Sequence, residues 1–256
     1  MRGVLVIAGK DLRNLFLSPL FYGIAGLCTI AWTLVYFLGL QDFAQASAMS
    51  MMQGGPEGGA NIHFVVFARH ISLVNLVMIF SVSAMSMRLF TEEKRNQTMS
   101  LLLTSPVTAT EITLGKLLAG LTAAWALVAI SFLYPLSLRA FASFDWGPLI
   151  SSYMGLLLIT GCYVAIGMFS SSLTESTVLS VVMALIFNVM LWFVGAVAEA
   201  QPEPPWNKIF EHLNVGTHFV NFIKGSVSVA GLTFFASVIV LMTFLTQRVV
   251  ESNRWR

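Results

Sequence analysis

The chain has 256 residues, 57% of them hydrophobic and 10% charged, with a net charge of +2, and its mean hydropathy is +0.80. A soluble domain averages about 45–50% apolar and about 25% charged residues. The polar surface here is too small to cover a water-soluble body of this size, and the net charge is too small for a nucleic-acid partner. Composition therefore points to one all-α polytopic membrane domain.

Residues 1–19 place Val4, Ile7, Ala8, Leu12, Leu15 and Phe16 at helical spacing, with Arg2, Lys10 and Arg13 between them. This pattern predicts a helix in the membrane interface, its basic groups toward lipid headgroups. Ser18-Pro19 should break that helix and turn the chain into the bilayer. Residues 20–40 carry no charge and are long enough for span one, since about 20 residues cross the hydrocarbon core. Ala46-Ser47-Ala48 resembles a cleavage site, but the apolar run exceeds the roughly 7–15-residue core of a signal peptide, which favours a retained span. Residues 41–64 lack Lys and Arg and contain Gly-Gly-Pro-Glu-Gly-Gly, predicting a flexible outer loop.

Spans two to six are predicted at 65–90, 112–136, 149–171, 177–198 and 229–247. In span two, Ser72, Asn75, Ser81, Ser83 and Ser86 form a polar side that should face other helices. Lys116 lies about one turn into span three, near enough to the end to snorkel to the interface. Gly161 and Ala165 in span four form a small-xxx-small pair. Thr108 with Glu111, and Ser172 with Glu175, are spaced as capping boxes for spans three and five. Residues 199–227 combine Pro202, Pro204 and Pro205 with apolar Ile209, Phe210, Leu213, Phe219, Phe222 and Ile223. Short amphipathic helices dipping into the outer interface are expected there, as a re-entrant segment over about 203–227.

Six spans put both termini on one side. That side holds Arg2, Lys10, Arg13, Arg88, Lys94, Arg95, Lys116, Arg248, Arg254 and Arg256, whereas the other holds Arg69, Arg139, Lys208 and Lys224. The bias places both ends, and the polar stretch between spans two and three, in the cytoplasm.

Little else in the chain carries chemistry. His63, His70, His212 and His218 all fall on the outer side without a ligand spacing, so no metal site is expected. Cys28 and Cys162 fall in apolar runs and read as packing residues. No carboxylate pair lies deep in a span, which counts against an ion-coupled carrier. No Gly-x4-Gly-Lys-Ser/Thr loop occurs, and Gly9-Lys10-Asp11 has neither its spacing nor its hydroxyl. The chain thus has no evident means of hydrolysing ATP. No enzyme activity and no cofactor of its own is expected.

Thr91–Leu114 is the one long polar interruption with a dense charge cluster. Glu92, Glu93, Lys94 and Arg95 are followed by Thr98 and then by Leu101, Leu102 and Leu103, with Pro106 ending the run. A short helix over about 91–105, charged first and apolar later, has two uses. It can lie in the interface with its charges snorkelling, or be presented to a groove on a partner. Spacing alone supports either.

The Glu-Glu-Lys-Arg cluster with Thr98, Leu101–Thr104 and Pro106 resembles the signature of ABC-2-type transporter permeases. Leu12-Arg13 to Ser18-Pro19 is similar to that family's connecting helix. Ser171–Glu175 is similar to its turn between spans four and five, and Thr217–Gly225 to its outer segment before span six. Within the family the chain is most similar to the gliding-motility-associated (GldF-like) permeases. Gln97 stands where a glycine is common in the family, and Ser100 where an acidic residue is. The resemblance implies a domain of six transmembrane helices over 20–256, preceded by the connecting helix 1–19. It also implies a bacterial inner-membrane exporter subunit paired with a second permease protomer, identical or related. The pair would sit on ATP-binding-cassette subunits that bind ATP and Mg, among membrane lipids, with room for an accessory protein on the outer side. Glu92, Glu93, Lys94, Arg95, Thr98, Leu101, Leu102 and, secondarily, Glu175 would form the ATPase-coupling interface. A non-transporting membrane scaffold for a cytoplasmic partner and an ion-coupled carrier are the rival readings. ATP-dependent transport in proteoliposomes separates the first from an exporter, and dependence on an ion gradient alone identifies the second.

Overall fold

A computed structural model describes residues 2–52, 61–99, 107–200 and 212–253. The described residues form helices and the turns between them, with no strand. Helix α1 covers Arg2–Leu17 and α2 covers Pro19–Met52. The break between them falls at Ser18, with Pro19 at the first position of α2, where its missing N–H costs nothing. A π-helical turn, His63–Phe67, leads into α3, Ala68–Ser86, and then α4, Arg88–Arg95. The remaining helices are α5, Ala109–Leu138, α6, Trp146–Leu173, α7, Thr177–Ala200, α8, Val215–Ile223, and α9, Val229–Ser252. Six helical segments are long and apolar enough to cross a membrane: Pro19–Ser50, His63–Arg95, Ala109–Leu138, Trp146–Leu173, Thr177–Gly195 and Val229–Ser252. The all-α polytopic reading therefore holds.

The bundle is organised around α6. In its most apolar window 78% of residues are buried, against 22% for α2 and α7 and 17% for α9. Small residues put α6 at the centre, because they let neighbouring backbones come close. Gly161 abuts Ile239 of α9, so a Cβ there would lie 2.9 Å from that side chain. Ala165 is fully buried one turn further on. The large apolar side chains point outward instead, for example Leu27, Ile30 and Leu34 on α2, Val182, Ile186 and Phe193 on α7, and Val240 and Phe244 on α9. Polar groups on the inward faces bond one another. Tyr163 donates to Asn75 Oδ1 at 2.9 Å, Trp192 donates to the Tyr163 hydroxyl at 2.8 Å, and Asn188 donates to Ser83 at 3.0 Å. Asn75, Ser81, Ser83 and Ser86 of span two are thus buried among its neighbours, as the sequence predicts, whereas Ser72 is exposed and donates back to the Ala68 carbonyl.

Three local expectations need correction or sharpening. First, the helix of span one does not stop near residue 40. It runs on to Met52, because Gln41–Met52 holds no glycine or proline, and hydropathy marks where the bilayer ends rather than where the helix does. Asp42 on this extension pairs with Arg69 of α3. The glycine-rich 54–59 lies outside the described residues. Second, Ser172 and Glu175 form no capping box. Helix α6 continues to Leu173, and the Ser172 hydroxyl donates back to the Phe169 carbonyl at 2.7 Å. Ser176 takes the capping role for α7, accepting the Leu179 N–H at 3.4 Å. Third, the Thr108–Glu111 box does form, with both reciprocal bonds at 3.2 Å, and it starts α5 at Ala109.

Candidate functional site

The polar chemistry gathers at the end of the bundle that carries both chain termini. There α4 continues span two past a break at Met87 and ends in a defined turn. The Thr98 N–H bonds the Glu93 carbonyl at 2.9 Å, and the Gln97 N–H bonds the Lys94 carbonyl at 3.1 Å. This is a Schellman cap, with Gln97 at the left-handed position, φ 56°. Glycine would enter that region without steric cost, whereas Gln97 does not. The helix bearing the charge cluster therefore stops at Arg95 rather than running on towards 105. Met99 is buried, and Leu101 and Leu102 lie outside the described residues.

The charged side chains of α4 divide between inside and outside. Glu93 turns inward, where Lys10 of α1 donates to its Oε1 at 2.9 Å and Lys116 of α5 pairs with its Oε2 at 2.9 Å. Lys116 also donates to Asp11 Oδ2 at 3.0 Å and to the Leu89 carbonyl, and its ammonium lies 5.0 Å from the centre of the Phe90 ring. Its side chain is 1% exposed. Lys116 therefore does not snorkel. Gly115 beside it lets α1 lie against α5, for a Cβ there would come within 2.9 Å of Ile7. That close approach brings Asp11 onto the lysine. The Lys116 ammonium and the Asp11 and Glu93 carboxylates thus form a buried cluster, and the exposed Lys10 balances its charge from the rim. Balance is required there, because a buried charge is tolerated only when it is paired. Burial pulls the Lys10 ammonium down, but the hydrogen bond to Glu93 and the charges of Glu93 and Asp11 outweigh it. Its pKa is held above the ordinary lysine value.

The cluster borders a polar cavity of about 300 Å³, lined among others by Asn14, Ser18, Arg88, Glu92 and Asn96. Arg88 closes one side, donating to Ser18 at the α1–α2 break at 2.8 Å and pairing with Glu92 at 3.3 Å. Glu92 is half-exposed and Arg95 exposed. Lys94 reaches the other way, donating to the Ser172 carbonyl in the last turn of α6, and is attracted by the charge of Glu175 in the following turn. Glu175 is itself exposed. Thr98 is exposed and donates through its hydroxyl to the Glu93 carbonyl at 3.3 Å.

The structure therefore brings Glu92–Arg95, Thr98 and Glu175 to one end of the bundle but gives them different tasks. Glu93 and Lys94 hold the protein together, whereas Glu92, Arg95 and Glu175 keep exposure. Sequence reasoning missed Lys10 and Asp11 as members of the site. Lys116 was the available signal, because a lysine inside an apolar run needs a carboxylate from elsewhere, and that side offers few. Three of the histidines are packed by their neighbours, and His212 is exposed. His63 Nε2 lies 2.7 Å from the Ile223 carbonyl, His70 packs on Tyr36 and Tyr134, and His218 stacks on Phe234 with Nε2 3.1 Å from the His212 carbonyl.

Helix count and span length define a polytopic membrane protein whose charged groups gather at one end of the bundle. Residues 5–249 match the ABC-2 family of transporter proteins, and the chain belongs to that family as a membrane permease of an ABC transporter. No curated protein matches the sequence.

Proposed function

We propose that the chain is the membrane-spanning subunit of an ATP-binding-cassette exporter, driven by a partner ATPase that binds ATP and Mg. The observation that carries this reading is α4 itself. It is a short charged helix fixed from within by Glu93 and Lys94 and presenting Glu92 and Arg95 outward, in a chain with no phosphate loop. A helix so held transmits a push, because its inward anchors join α1, α5 and α6. Residues 91–105 form the coupling segment in this reading, with Glu92, Arg95 and Thr98 meeting the ATPase, Leu101 and Leu102 beside them, and Glu175 as a second contact.

The Lys and Arg bias supports cytoplasmic termini in a bacterial inner membrane. Pairing with a second permease protomer, the export direction, an accessory outer-side protein and the kinship with gliding-motility-associated permeases rest on the sequence resemblance. Co-purification with the cognate ATPase tests the assignment. Glu92→Lys with Arg95→Glu should abolish assembly and ATPase stimulation while leaving the permease folded. Assembly and stimulation at the wild-type level would remove α4 from the interface. Glu93→Lys is the wrong probe, because it also breaks the buried cluster.

A further inference from the structure

Spans two and four cross closely where α3 gives way to α4. Gly167 of α6 faces Ser86 of α3 so tightly that a Cβ at Gly167 would overlap the Ser86 side chain. One turn further along α6, Ser171 is wholly buried against the break at Met87. In a continuous helix the Phe90 N–H would go to the Ser86 carbonyl, four residues back. Here it goes to Ser171 Oγ at 3.0 Å, and the Thr91 N–H reaches the same oxygen at 3.2 Å. The Ser171 hydroxyl in turn donates to the Met87 carbonyl at 2.7 Å. One side chain thus takes two amide protons and gives one of its own across the interruption. A side chain inserted into the ladder interrupts it and leaves these buried amides satisfied.

The ordinary role of a serine in a membrane helix is to bond its own preceding turn. Ser170 does this, to Ile166, and Ser172 does it, to Phe169. Ser171, between them, reaches across to another helix. Two residues of α6 therefore grip α4, Ser171 at its first turn and the Ser172 carbonyl through Lys94 near its last.

We propose that Ser171 is the positioning residue of this joint. Its hydroxyl bridges the interruption between α3 and α4 and makes α4 and the end of α6 one body, so that a push on α4 reaches the central helix instead of being absorbed by yielding at Met87. The transmission part rests on the ATPase-coupled reading, whereas the bridging of the interruption does not.

Amide hydrogen exchange on the full chain in lipid nanodiscs tests the Ser171 bridge. Ser171→Ala should speed exchange at Phe90 and Thr91 about tenfold, as loss of a buried hydrogen bond requires, with α9 unchanged. Ser171→Thr, which keeps the hydroxyl, should restore protection. Unchanged exchange at these amides, or acceleration throughout the protein, would overturn the proposal. Transmission is read with the ATPase added. Ser171→Ala should bind it as tightly as wild type yet lose stimulation, and Ser171→Thr should regain it. Full stimulation with the two amides deprotected would refute transmission through Ser171. A wild-type chain that fails to bind the ATPase would instead refute the ATPase-coupled reading, and transmission with it, while the exchange result would still decide the Ser171 bridge.

Discussion

Helices α4 and α8 are of nearly equal length, eight and nine residues, and they lean on opposite ends of α6. Both end in a Schellman cap. At α8 the Ser226 N–H bonds the Asn221 carbonyl at 2.9 Å and the Gly225 N–H bonds that of Phe222 at 3.1 Å. The two helices are nevertheless attached by different physics. Val215, Phe219, Phe222 and Ile223 bury the inner face of α8, and Phe222 presses so hard on Gly155 that a Cβ there would come within 2.6 Å of it. Helix α4 also buries Leu89 and Phe90 in its first turn, but the rest of it is held by ion pairs, by Ser171 and by a lysine on a carbonyl, beside a polar cavity. Apolar packing in a tight crossing has one good arrangement and resists displacement. Charges bordering a polar cleft can exchange partners at lower cost. Helix α8 is fixed by close apolar packing, and α4 is tied to α1, α5 and α6 through polar groups at the opposite end of the bundle.

Breaking each attachment separately tests that contrast. Lys116→Met should have the largest effect, about 3–5 kcal/mol of stability, because it leaves Asp11 and Glu93 buried with one counter-charge too few. Adding Glu93→Gln should recover much of the loss, and a double-mutant cycle of thermal unfolding in detergent measures the coupling. Additive losses would mean that the cluster is not a unit. Phe222→Ala should cost about 3 kcal/mol through the cavity it leaves. Its effect should stay at the outer end, so hydrogen exchange in α4 should not change. Spread of the effect to α4 would show that the two ends are coupled through α6. The smallest effects belong to the caps. Gly225→Ala, at φ 87° and with its new Cβ 3.3 Å from Pro148, should destabilise by about 1–2 kcal/mol. Gln97→Gly at the matching position of α4 should move melting the opposite way, by up to about 1 kcal/mol. Equal and same-signed shifts would contradict the shared cap geometry.

What could be read from the sequence follows the range of the interaction. The Thr108–Glu111 box and the Ser18-Pro19 break involve neighbours three residues apart or fewer, so residue types and spacing suffice. The six spans were legible because hydropathy over about 20 residues is a property of each segment alone. The Ser172–Glu175 box failed although its spacing was right, since nothing local says whether a serine caps the next helix or completes the last turn of the one before. The extension of α2 to Met52 was missed for a related reason, because polar residues can remain helical outside the bilayer.

The sequence by itself determined that this is a six-span helical membrane protein, which end carries the charge, and that no phosphate loop drives it. Those properties are local, or sums over local windows. Only the tertiary structure decided what the charges do. Lys116 meets Asp11 across 105 positions, and Ser171 meets Phe90 across 81. Such pairings depend on how α1 settles on Gly115 and how α6 crosses α3 at Gly167. The crossing geometry turned Glu93 and Lys94 from surface charges into internal anchors and left Glu92 and Arg95 exposed at the face of the bundle.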